Sequence, residues 1–120
     1  MMTMNKVIEY VDRLKPNVYT VEDKYRWINT LEGMVSREVL QRDVPEYFLP
    51  DDADTPLMVG HPFDDLYGLY VSAMIDFHNR EFDHYNNTIA VFQNKYDQYK
   101  AWYIQQHAPE SAKNYRNVMG

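Results

Sequence analysis

The sequence predicts an all-α fold: a four-helix bundle-like domain with a long C-terminal helical hairpin and an extended acidic, proline-rich arm between helices 2 and 3. Three observations carry this. Apolar residues recur at the three- and four-residue spacing of a helix face in four stretches. Between the second and third stretches lies a segment dense in Pro and Asp. The last stretch carries a ring-bearing seam more than twenty residues long. At 120 residues the chain reads as one domain, able to bury a core without disulfides or metals. Its expected extent is 1–108, with 109–120 a flexible tail.

The first helix is expected over about 3–14. Thr3 is its N-cap, and Met4, Val7, Ile8, Val11 and Leu14 form one face before Pro16 ends it. The second is expected over about 21–41. Thr20 precedes Asp23 in a variant of the capping box, and Val21, Tyr25, Ile28, Leu31, Val35 and Val39 make the inward stripe. Trp27 and Met34 widen that stripe, so this helix should meet more than one neighbour. Gly33, inside the helix, costs up to about 1 kcal/mol relative to Ala and hints at a close crossing.

The arm, 43–61, holds most of the chain's charge asymmetry. From Asp43 to Asp65 there are seven carboxylates and no Lys or Arg, so that segment is −7 and the rest of the chain +1. Four of the six prolines (Pro45, Pro50, Pro56, Pro62) lie there. Helix connections in compact bundles run about 2–8 residues, so a connector of this length is functional or disordered. Two short apolar runs, Tyr47 to Leu49 and Leu57 to Val59, flank the acidic tip and could pair as a small two-stranded arm.

The third helix is expected over about 62–78, with Pro62 in its first turn and Asp64 and Asp65 complementing its dipole. Leu66, Tyr70, Ala73 and Phe77 share one face while Val71 and Ile75 point nearly opposite, so it should be covered on two sides and be the central helix. After a turn near Asn79 the fourth helix is expected over about 80–106, roughly 40 Å long. Phe82, Tyr85, Ile89, Phe92, Tyr96, Tyr99 and Tyr103 recur along it at spacings of 3, 4, 3, 4, 3 and 4. Such a seam packs along its length against a partner. The third helix is the expected partner, because four Tyr are poor seam residues for a self-associating coiled coil.

Composition narrows the function. With no Cys, disulfide frameworks, thiolate zinc sites and Cys nucleophiles are excluded. The N-terminal residues lack a signal peptide's apolar run, and no stretch approaches the roughly 20 apolar residues of a membrane span. A pI near 5.1 with scattered cations argues against a surface that grips nucleic acid. Eleven Tyr, two Trp and five Phe suit half-buried and interfacial positions.

Few constellations carry chemistry. Glu81-Phe82-Asp83-His84 has the Glu-x-x-His spacing of di-iron bundles, but those sites need two such motifs plus two further Glu. A solvated helix face is the expected reading, with Asp76 and His78 as polar edge residues. Asp52-Ala53-Asp54 opens like a calcium loop, yet Leu57 and Phe63 stand where Gly and a bidentate Glu are required. No nucleophile elbow, phosphate loop, dinucleotide motif or Glu-x-x-Glu pair occurs. No enzymatic activity, cofactor or metal is therefore expected.

The chain resembles the head-tail connector (adaptor, or head-completion) proteins of long-tailed phages and prophages. The resemblance is carried by Val7-Ile8-Glu9-Tyr10-Val11 with Leu14-Lys15-Pro16-Asn17, by Arg26-Trp27-Ile28-Asn29 with Leu31-Glu32-Gly33-Met34-Val35, and by Leu66-Tyr67 through Ala73-Met74-Ile75-Asp76-Phe77. It continues in Tyr85-Asn86-Asn87-Thr88, Phe92-Gln93 and Trp102-Tyr103. It implies a structural subunit of the virion neck, assembled in the bacterial cytoplasm into a ring beneath the portal protein. That ring extends the DNA channel to the tail-proximal neck protein, without sequence-specific DNA binding. On that reading the interaction residues are Tyr47, Phe48, Leu49, Asp51, Asp52, Asp54, Leu57, Met58 and Val59 in the arm, with Val91 and Trp102 off the seam of the last helix. The alternative is a small acidic regulatory protein that binds another protein through an aromatic surface.

Overall fold

The computed structural model describes residues 2–41 and 54–107. Within them the chain forms four α-helices: α1 (Met4–Leu14), α2 (Val21–Val35), α3 (Leu66–His78) and α4 (Phe82–His107), with no strand among the described residues. The Tyr47 to Leu49 run, Asp51, Asp52 and the tail 109–120 lie outside the described residues.

Both expected caps form. The Thr3 side chain accepts the Lys6 amide of α1, and Thr20 and Asp23 exchange bonds in a complete capping box on α2. Met4, Val7, Ile8 and Val11 on α1 and Tyr25, Ile28, Leu31 and Val35 on α2 are buried, at about 1.5–3 kcal/mol for each large aliphatic side chain. Leu14 and Val21, expected on the inward faces, are exposed instead. They occupy the last turn of α1 and the first of α2, where the chain leaves and re-enters the body. α2 then gives way to a π turn, Ser36–Leu40, closed by Gln41 in the left-handed region (φ 53°) with its N–H on Ser36 O. This places buried Val39 and half-buried Leu40 on the core.

α3 starts four residues later than Pro62 predicts. The Phe63 amide donates to Gly60 O and the Leu66 amide to Phe63 O, so tight turns occupy 60–66 and helical bonding follows them. These turns lay the Phe63 ring against Tyr99 and Trp102, with centroids 5.4 and 5.5 Å away. A tertiary contact thus overrides the local helix-start signal. Leu66, Tyr67, Val71, Ala73 and Ile75 are buried around most of the helix circumference, and α3 contacts α1, α2 and α4, as expected of a central element.

Only Asn79, Arg80 and Glu81 separate α3 from α4. Arg80 adopts φ 62°, and the Glu81 amide returns to Asp76 O at 2.9 Å, so α4 doubles back along α3. The seam is buried at Phe92, Tyr96 and Tyr99, half-buried at Tyr85, Ile89 and Tyr103, and exposed at Phe82, which caps the turn edge-on to Phe77. At 1.5 Å per residue, α3 spans about 20 Å and α4 about 39 Å. α3 therefore covers only about half of α4.

Charged residues also enter the interior. Asp76, expected at a polar edge, is 1% exposed, and Lys15 Nζ approaches its Oδ1 at 2.6 Å, tying the end of α1 to the end of α3. Lys24 is likewise buried, 2.7 Å from Asp12 Oδ1. Burial opposes ionisation of Asp12, but hydrogen bonds from Lys24 and Asn17 and the Lys24 charge outweigh it and hold the carboxyl below its ordinary range.

Candidate interaction surface

The half of α4 that α3 leaves uncovered builds a groove. One wall comes from α4, whose Tyr99 and Tyr103 continue the seam while Trp102 stands beside it; the other comes from Leu40 of the π turn and Met58, Gly60 and His61 of the connector. The groove holds about 250 Å³. Its rings are mutually braced: Trp102, Phe63 and Tyr99 each pack on the other two, and the His107 ring stacks on Tyr103 at 3.9 Å. A Cβ added at Gly60 would meet no atom within 4 Å, so the wall is open there. Trp102 remains 43% exposed and Ile104 55%.

A buried polar clamp sets the connector wall in place. Glu32 on α2 is fully buried and accepts the Met58 amide at 3.0 Å. The Tyr67 hydroxyl of α3 donates to the other Glu32 oxygen and itself accepts the Val59 amide at 2.8 Å. Burial, and then the Glu32 charge, push the Tyr67 phenol far above its ordinary pKa, so it stays a donor. Ser36 Oγ reaches Met58 Sδ at 3.1 Å. Two successive backbone amides are thereby fixed to two helices, which satisfies donors that burial would otherwise penalise.

The expected interaction residues divide accordingly. Tyr47, Phe48, Leu49, Asp51 and Asp52 lie outside the described residues. Asp54 is exposed and accepts Asn5 Nδ2 at 3.0 Å. Leu57 and Val59, assigned to a projecting arm, are core residues instead: the Leu57 amide bonds Met2 O beside a Thr3–Pro56 bridge, and the clamp holds Val59. Their alternation places these apolar side chains inward, so neither offers a surface to a partner. Met58, between them in sequence, does line the groove. Val91 is 55% exposed; it lies eleven residues before Trp102, and at 100° per residue the two share a face of α4. Sequence reasoning missed Tyr99 and Tyr103 as groove-lining residues. The signal existed, because a third helix ending at the turn near residue 79 cannot cover a seam running to residue 103.

Chemically, the groove offers aromatic faces and a thioether without a nucleophile or paired carboxylates on its described walls. Such a lining suits an apolar or cationic side chain of a protein partner. Comparisons with protein-family models, with curated proteins and with solved structures returned no match.

Proposed function

We propose that this protein is a non-catalytic assembly subunit that docks onto a protein partner through the distal half of α4. The observation that carries the reading is the unequal length of α3 and α4, which leaves a braced aromatic groove and an exposed Trp102 and Ile104 beyond the reach of α3. Together with the sequence resemblance, this supports a head-tail connector: a four-helix bundle-like body, carried in a ring below the portal and extending the DNA channel toward the tail. In this reading the acidic connector is a short arm. Its C-terminal portion is stapled to the body, and its carboxylates keep the neighbourhood of the channel unattractive to DNA phosphates.

Co-expression with the portal protein from the same genome tests the proposal. A symmetric ring on the portal by electron microscopy is the expected result, with assembly reduced about tenfold or more by Trp102→Ala at unchanged helix content, the size of a central aromatic hot spot. Failure to bind the portal, or a Trp102→Ala variant that assembles normally, refutes it. Monomeric protein that instead captures a non-virion partner through the same groove supports the regulatory alternative.

A further inference from the structure

The turn between α3 and α4 brings together three metal-binding side chains that the sequence separates. Glu81 and His84 are one helical turn apart at the start of α4, and Asp76 arrives from the last turn of α3 because the Glu81 amide bonds back to Asp76 O. One donor atom from each lies within 4.8 Å of the other two. We propose that Asp76, Glu81 and His84 form a divalent-cation site, of Zn²⁺ type, that pins the α3–α4 turn.

Three features support a site over a chance grouping. The first is spacing. Two zinc bonds of about 2.0–2.1 Å at a tetrahedral angle set donor atoms about 3.3 Å apart, and Glu81 Oε2 and His84 Nδ1 are 3.3 Å apart. The second is the buried carboxylate. Asp76 is 1% exposed, yet its Oδ2 has only Thr88 Oγ1 at 3.5 Å among the described residues. That length is at the limit of hydrogen bonding, and Thr88 lies one turn beyond His84 on α4. Oδ2 is thus the less tightly held of the two carboxylate oxygens. The third is the neighbour of the other oxygen. Lys15 holds Asp76 Oδ1, an orienting contact of the kind that fixes metal-bound carboxylates. One imidazole and two carboxylates match the mixed His/Asp/Glu donor sets of zinc, leaving a fourth position for water. The single Glu-x-x-His motif lacks the partners of a di-iron bundle; the turn supplies a third ligand and makes a mononuclear site.

Isothermal titration of the full-length protein with zinc chloride, read beside the His84 and His61 imidazole resonances, tests this. One equivalent should bind, with the His84 ring signals shifting. His84→Ala and Glu81→Gln should each weaken binding by at least about tenfold; both residues are largely exposed, so the fold survives the changes. His61→Ala removes the other His–carboxylate pair (His61 with Asp64) and should leave binding unchanged. No binding, binding that His84→Ala leaves intact, or binding lost with His61→Ala each overturns the proposal.

Discussion

Replacing Tyr67 with Phe removes one oxygen atom, and the clamp geometry sets what that costs. The hydroxyl both donates to the buried Glu32 carboxylate and accepts the buried Val59 amide. A hydrogen bond to a charged group contributes about 1.5–3 kcal/mol, and a buried amide left without an acceptor costs about 1–3 kcal/mol. Tyr67→Phe should therefore destabilise by about 3–5 kcal/mol, a large part of the roughly 5–15 kcal/mol of a typical domain, and lower the melting midpoint by about 10–20 °C. Tyr96→Phe is the control. Its hydroxyl donates to Glu38 at 3.2 Å, and Glu38 is exposed, so water replaces the lost partner and the cost should be about 0.5–1.5 kcal/mol. Urea unfolding followed by circular dichroism measures both, and hydrogen exchange at the Val59 amide reports the clamp directly. Equal losses in the two variants, or unchanged Val59 exchange in Tyr67→Phe, would refute the claim that this hydroxyl fastens the connector to the core.

Further tests address charge and packing. Because the folded-state pKa of Asp12 is depressed, its ion pair adds stability that is fully present above the unfolded value near 3.8 and lost as pH falls through the lower folded value; Asp12→Asn should flatten acid unfolding in that range. Lys24 is buried at the other end of the pair, so Asp12→Ala should destabilise more than Lys24→Met, a difference that chemical denaturation resolves. In alkali the sign reverses. Burial, then neighbouring carboxylates, raise the Tyr67 and Tyr96 phenols above 10, so stability present below pH 10 is lost as pH rises. Absorbance at 295 nm should show these two ionising only when the protein unfolds. Gly68→Ala on α3 should stabilise by up to about 1 kcal/mol, since the new Cβ would meet Tyr10 Cδ1 at 3.5 Å, an ordinary contact; a lower melting midpoint would mean that the α1–α3 contact cannot take a methyl group.

Much of the architecture was legible because it is local. Thr3 and Thr20 announce their helices through side-chain oxygens that accept amides three residues on, and the stripes at Met4 to Val11 and Tyr25 to Val35 follow from helical period alone. Where α3 begins was not legible. Pro62 fits a first turn, and only the tertiary contact of Phe63 with Tyr99 and Trp102 explains why tight turns come first. The interior charges escaped for a related reason. Asp76, Lys24 and Glu32 look like solvent-facing residues until Lys15, Asp12 and Tyr67, distant in sequence, arrive beside them. The same distance hid the groove, whose walls come from the π turn, the connector and α4, and the meeting of Asp76 with Glu81 and His84.

The connector is fastened at both ends: Val39 and Leu40 sit on the core before it, and Leu57 to Val59, in its C-terminal part, are bonded down. The body therefore sets where the two ends lie, whatever the sequence between these moorings. Grafted peptide epitopes inserted there should be displayed without refolding the helices.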